Sequence, residues 1–239
     1  MPLVAAYHRP TSIGEALALL AEPNRVPLAG GTTINADRAA SDVEVVDLQS
    51  LGLDSIGFDG GRVRIGATAT LDAVSTASAV PPALQRIARA EAPSTLRTLA
   101  TVGGAIAAAD SDSVLVAALL VHDANVEFAG GAEHPLRLVL RQGVSPGAVI
   151  TSVSIDPRGD LADAATGRTP ADVPIVAAVG RRVDRTVVVA LTGVAATPVL
   201  VDPSAPATGL EPPGDFRGTA EYRRQLAQVL TARVIEALR

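Results

Sequence analysis

One pattern, used twice, limits what this chain can fold into: a short apolar run, a glycine pair, then small or hydroxyl side chains. It occurs as Leu28-Ala29-Gly30-Gly31-Thr32-Thr33 and again as Ala100-Thr101-Val102-Gly103-Gly104-Ala105. Paired glycines permit positive φ and remove the Cβ that would hold a ligand off the backbone. Successive amides can then form a nest for an anion, and Thr32, Thr33 and Thr101 add hydroxyls. Two such loops converging on one diphosphate would bind it without a basic side chain. That matters here, because the positive charges are all arginine and the chain has no lysine. A Schiff base and a P-loop lysine are therefore excluded. A glycine pair alone is more often an ordinary turn, and Gly60-Gly61 and Gly130-Gly131 read that way. Neither functional pair fits G-x-G-x-x-G or G-x-x-x-x-G-K, so Rossmann and Walker sites are disfavoured.

Composition narrows the partners such loops can serve. The 239 residues can build one large core or two smaller ones, and 48% hydrophobic content excludes a disordered chain. A formal net charge of −5 argues against nucleic acid, whose phosphates need a basic surface. There is no cysteine, which excludes a disulfide framework, a thiolate metal site and an iron–sulfur cluster held by this chain. No apolar run approaches the ~20 residues of a membrane span. Val187–Val201 is interrupted by Thr192, Gly193, Thr197 and Pro198. With no signal-peptide core near the start, the expectation is a cytoplasmic protein without a membrane span.

Helices are expected over 11–22, over 82–91, along the apolar run ending at Val121, and over Thr219–Leu238. Ser12 and Glu15 fit a capping box for the first. Tyr222, Leu226, Val229, Leu230 and Leu238 form the stripe of the last. Strands are expected at Val26–Ala29, Val43–Leu48, Arg62–Ala67, Asn125–Phe128, Ala148–Ile155, Ile175–Val183 and Thr186–Ala195. The last two meet at Asp184-Arg185 as a hairpin. Asp156–Pro174 is poor in large apolar residues and holds Pro157, Gly159, Gly167 and Pro170. It reads as the boundary between domains 1–158 and 159–239.

Other chemistry-bearing residues have plainer readings. His8, His122 and His134 lack metal-ligand spacing. His122 reads as a helix-end histidine that the dipole favours when protonated. Asp110 and Asp112 read as charges complementing a helix N-terminus rather than an acid–base pair. No G-x-S-x-G is present. Arg181-Arg182 and Arg223-Arg224 read as solvated faces, and Tyr222 as core.

Several segments, in order, resemble the FAD-binding (medium) subunit of the molybdenum hydroxylases, of the xanthine dehydrogenase and carbon monoxide dehydrogenase type. They are His8-Arg9-Pro10-Thr11-Ser12, Ala29-Gly30-Gly31-Thr32, Arg64-Ile65-Gly66-Ala67 and Leu96 through Gly104. Leu119 through Ala124 and Arg217-Gly218-Thr219-Ala220-Glu221-Tyr222-Arg223 complete the set. The resemblance implies an α+β fold: a two-subdomain FAD-binding unit followed by a small C-terminal α/β domain. It implies FAD held in extended form. Gly30, Gly31, Thr32, Gly103 and Gly104 would lie on the diphosphate, beside Ala29, with Thr33, Thr101 and Asp110 near the cofactor. No catalytic side chain and no metal ligand are expected here. The implied partners are a small [2Fe–2S] subunit and a large molybdopterin subunit. Electrons would pass from the clusters through FAD to NAD, oxygen or another acceptor.

The sequence departs from that pattern in places. Ala105 follows the second glycine pair where the family commonly has Asn, Ser or Gly. Ser111 replaces a proline after Asp110, and Val114 stands where a later acid usually sits. Thr33, in Thr33-Ile34-Asn35-Ala36-Asp37-Arg38, replaces the usual aspartate or serine. The segments after Phe128 and Ile155 are short. Backbone donors survive such changes, whereas a lost charge-assisted bond costs roughly 1.5–3 kcal/mol. The leading reading is a working flavin subunit; the alternative is a degenerate homologue serving as a non-catalytic scaffold.

Overall fold

The computed structural model describes residues 4–34, 42–167 and 172–239. Three sheets organise them, each with helices on it, and the α+β expectation holds. Residues Asn35, Ala36, Asp37 and Arg38 of the first-loop continuation, and Pro170, lie outside the described residues.

The first sheet is small and parallel. It contains β1 (Ala6–His8), β2 (Arg25–Leu28) and β3 (Glu44–Asp47), in the order β1-β3-β2. The β-branched Val45 and Val46 of the central strand are buried. Helix α1 (Ile13–Leu20) covers the sheet, setting Ala16 and Leu20 against Val46 and Leu48. Its cap forms as expected, with the Glu15 amide donating to the Ser12 hydroxyl at 3.2 Å. The Glu15 carboxylate reaches one residue further back, accepting from the Thr11 amide at 2.8 Å.

The second sheet is antiparallel, in the order β4-β5-β8-β6-β7. Its strands are β4 (Ile56–Asp59), β5 (Arg62–Gly66), β6 (Asn125–Phe128), β7 (Glu133–Pro135) and β8 (Ile150–Ile155). Gly60-Gly61 and Gly130-Gly131 turn its two hairpins, all four with positive φ. Between β5 and β6 run α2 (Leu71–Val74), α3 (Pro82–Ala90), α4 (Ser94–Arg97), α5 (Val102–Ala108) and α6 (Val114–Val121); α7 (Leu136–Gln142) precedes β8. The segment before Gly103 is no strand: Thr101 caps α5, its hydroxyl accepting from the Gly104 amide at 3.1 Å. Tertiary contact at a single bridge, Thr70 to Thr101, is all that remains strand-like.

The third sheet contains β9 (Asp160–Thr166), β10 (Val176–Val183), β11 (Thr186–Thr192) and β12 (Val199–Val201), antiparallel in the order β12-β11-β10-β9. β9 falls inside the segment read as a linker. Its Ala162, Ala164 and Ala165 carry little apolar signal, and pairing along β10 makes it a strand. The β10–β11 turn uses Asp184 at φ +53°, a left-handed conformation that aspartate tolerates. Helix α8 (Ala220–Ala237) packs Leu226, Ala227, Leu230 and Val234 onto one face of this sheet. α6 meets the other face, which explains why Leu115 through Val121 are all buried: the helix is covered on every side.

Burial corrects several charge readings. Tyr222 and Val229 are exposed, and Arg223 occupies the buried stripe instead. Arg181 is buried too. Its guanidinium donates to the carbonyls of Arg158 at 2.7 Å and Val121 at 3.0 Å and pairs with Asp156 at 2.7 Å.

His122 caps the C-terminus of α6 and is fully buried, with Nδ1 2.8 Å from the Asp156 carbonyl oxygen. Burial pushes its pKa down to about 4, and the Arg181 guanidinium acts in the same direction. It is therefore neutral, not protonated as the helix dipole alone suggested. The unfolded chain takes up this proton near 6.5 but the folded chain only near 4. Stability fully present above pH 6.5 is thus lost as the pH falls toward 4, by about 3 kcal/mol. Urea unfolding at a series of pH values should show this decline in the wild type and not in His122→Asn. An equal decline in both would assign it to other groups.

Candidate cofactor cleft

The two glycine loops meet. A Cβ built on Gly30 would lie 1.8 Å from the Leu99 carbonyl oxygen, so the loop after β2 runs directly against the chain entering α5. Gly103 is closed as well, with Ala67 Cβ and O each 2.8 Å from where its Cβ would be. A cleft of about 90 Å³ opens beside them. Its walls include Ala29, Gly103 and Gly104, with Leu48 just after β3, and Val149 and Ile150 at the start of β8. Residues beside both of the first two sheets therefore line it.

The loops contribute differently. Gly31 alone of the four glycines has positive φ, +69°. The amides of Gly30, Gly31 and Thr32 donate to no acceptor among the described residues. The second loop has spent its amides. Val102 donates to the Ala69 carbonyl at 3.1 Å, Gly103 to the Ala67 carbonyl at 2.8 Å, and Ala105 to the Thr101 carbonyl at 2.9 Å. The Gly104 amide bonds the Thr101 hydroxyl. An amide nest was expected at both loops; among the described residues it is available at the first. At the second, the missing Cβ atoms let Gly103 pack against Ala67 and Gly104 against the Thr101 hydroxyl. Thr32, Thr33, Thr101 and Asp110 stand outside the cleft walls; Thr101 is buried, whereas Thr33 and Asp110 are exposed.

Two groups had no sequence signal. Thr68 lines the cleft, and its Oγ1 is buried with no hydrogen-bond partner among the described residues. Glu91 supplies a carboxylate to the first turn of α6, accepting from the Ser113 hydroxyl and, at 2.9 Å, from the Leu115 amide. Burial raises its pKa, while those hydrogen bonds oppose the rise. Val114 carries no acid, so the carboxylate at this helix start comes from the end of α3. Asp112, read as a dipole charge, pairs instead with Arg217 at 2.6 Å.

This arrangement has counterparts in known proteins. The chain belongs to the family described as the FAD binding domain in molybdopterin dehydrogenase, whose model matches residues 3–155. It is 30% identical over 278 residues to the carbon monoxide dehydrogenase medium chain of Afipia carboxidovorans, covering 96% of this chain and 95% of that one. It is 29% identical over 247 residues to the uncharacterized protein YgfM of Escherichia coli (strain K12), with the same coverage of 96% and 95%. Among solved structures, a Cu,Mo-CO dehydrogenase chain in its cyanide-inactivated form superposes with a TM-score of 0.87 at 27% identity, covering 100% of this chain and 98% of that one.

The family's cofactor is FAD, and the chain is an FAD-binding oxidoreductase component of the molybdenum hydroxylase type. The residues present fit that cofactor: among the described residues the first loop has free amides and the cleft wall holds an unpartnered hydroxyl. Among the described residues no group of His, Cys, Asp or Glu could hold a metal, and no helix is long and apolar enough to cross a membrane.

Proposed function

We propose that this chain is the electron-transfer flavin subunit of a cytoplasmic molybdenum hydroxylase. It would receive electrons from [2Fe–2S] clusters of a small partner subunit, in an assembly with a large molybdopterin subunit. It would deliver them to NAD, oxygen or another acceptor. The observation that supports this best is the contact between the Gly30 loop and the start of α5 beside one cleft. FAD, when bound, supplies the redox chemistry, and the protein supplies orientation and tuning.

In this reading the amides of Gly30, Gly31 and Thr32 donate to the diphosphate. Gly103 and Gly104 let it approach the backbone, and Ala29 walls the cleft. Thr33, Thr101 and Asp110 flank the cofactor, with Thr101 holding the Gly104 turn in place. Residues 1–158 form the FAD-binding domain and 159–239 the C-terminal domain. The test is the visible spectrum of the protein purified with its co-expressed partners. A flavin band is expected. Its absence after reconstitution with excess FAD would leave a scaffold.

A further inference from the structure

Beyond Leu28 the first glycine loop leaves its sheet, and one side chain reaches out to it. Leu28 pairs with Asp47 at the carboxyl ends of β2 and β3, and the Leu48 amide donates to the Leu28 carbonyl at 2.8 Å. The next carbonyl, that of Ala29, accepts from the Gln49 side-chain amide at 3.0 Å. Gln49 is itself held. Its backbone amide donates to one Asp47 carboxylate oxygen at 2.9 Å, and the other oxygen accepts from the Tyr7 hydroxyl. Asp47 is buried, whereas the Gln49 side chain is exposed. A chain of hydrogen bonds thus runs from β1 through β3 to the loop after β2, following the spatial order of the three parallel strands.

We propose that Gln49 is a positioning residue that holds the Ala29–Gly30 peptide in the orientation presenting the Gly30 amide to the diphosphate. This rests on the flavin-subunit reading. The Ala29 carbonyl and the Gly30 amide belong to one planar trans peptide and point in opposite directions. A donor fixed on the carbonyl therefore fixes the direction of the amide, away from Gln49. The Gly30 amide has no acceptor among the described residues, so no bond of its own holds it. Nor does Gly30 resist a flip of the peptide, because a residue without Cβ accepts either sign of φ. A flip would offer the anion a carbonyl oxygen in place of an N–H donor. The second glycine loop needs no such support, since the Gly103 amide is held by its own bond to the Ala67 carbonyl at 2.8 Å.

The experiment compares wild type, Gln49→Met and Ser50→Ala as full chains, alone and co-purified with their partners. Ser50 is the control: it neighbours Gln49 and accepts from Arg9 at 2.6 Å rather than bonding the loop. FAD affinity is measured by titration, and the ligand-free chain is followed by urea unfolding and by NMR of 15N-labelled glycine amides. Gln49→Met is expected to bind FAD about fivefold more weakly, and Ser50→Ala to bind as wild type. The urea midpoint of Gln49→Met should match wild type, because the lost bond belongs to an exposed side chain. Its Gly30 amide resonance should double or broaden as the peptide samples both orientations. Wild-type affinity in Gln49→Met, equal weakening in Ser50→Ala, or a single sharp Gly30 resonance overturns the Gln49 assignment while the flavin reading stands. Weaker binding with a lowered urea midpoint makes Gln49 a support of the fold and overturns the assignment as well. A wild-type chain that binds no FAD, alone or with its partners, overturns the flavin reading itself and the Gln49 assignment with it.

Discussion

Gly30→Ala is expected to lose its flavin and to be destabilised by about 3 kcal/mol. The added methyl would sit 1.8 Å from the Leu99 carbonyl oxygen and 2.6 Å from its carbon. These are backbone atoms and cannot rotate away. The Leu99–Ala100 segment is itself fixed, since the Ala100 amide donates to the Leu96 carbonyl at 2.7 Å and its carbonyl accepts from the Leu71 amide at 2.8 Å. Relief therefore requires the two loops to separate, which widens the gap that the diphosphate is proposed to span. Gly14→Ala is the matching control. It lies within α1 with no neighbour within 4 Å, so the same change should stabilise by about 0.5–1 kcal/mol. Urea unfolding and flavin absorbance of both variants provide the comparison. If Gly30→Ala kept full flavin and full stability, the loops would not be in contact.

Arg223→Met should cost about 3–5 kcal/mol. The side chain is 2% exposed and bridges three segments: the Ile175 carbonyl at 2.7 Å, the Gly193 carbonyl at 2.8 Å and the Asp215 carboxylate at 2.8 Å. Methionine fills similar volume and leaves both carbonyls without their donor, at about 1–3 kcal/mol each. The consequences reach the turn before α6. Asp215 also accepts from the amides of Arg217 and Gly218, and Arg217 pairs with Asp112. The Gly193 amide donates to the Ser111 carbonyl at 2.8 Å. Arg223 thus braces the loops that clasp the 110–113 turn, where Asp110 lies. Arg223→Lys should recover only part of the loss, because an ammonium lacks the guanidinium fork. A midpoint in urea equal to wild type for Arg223→Met would show that these bonds are replaced by water.

How legible this was in the sequence differs from residue to residue. The capping box at Ser12 and Glu15, the glycine turns at 60–61 and 130–131, and the hairpin at Asp184-Arg185 could all be read because each depends on a few neighbouring residues. The glycine loops at 29–32 and 101–104 could be read as a pair, and their order among other segments indicated the family.

What local pattern could not supply is which groups meet across the fold. Arg223 and Arg224 are adjacent in sequence, yet one is buried because two carbonyls and a carboxylate arrive from elsewhere. His122 is neutral because α6 ends inside the protein, where desolvation outweighs the helix dipole. The amides of the second glycine loop are satisfied by Ala67 and Ala69, and the carboxylate at α6 comes from Glu91. The sequence by itself determined the periodicities, the turns and the two loops, since these are set by φ preferences and side-chain spacing within a few residues. Only the tertiary structure decided which polar groups are satisfied and which are left for a ligand. A hydrogen bond depends on distance and desolvation between atoms that the chain brings together only on folding.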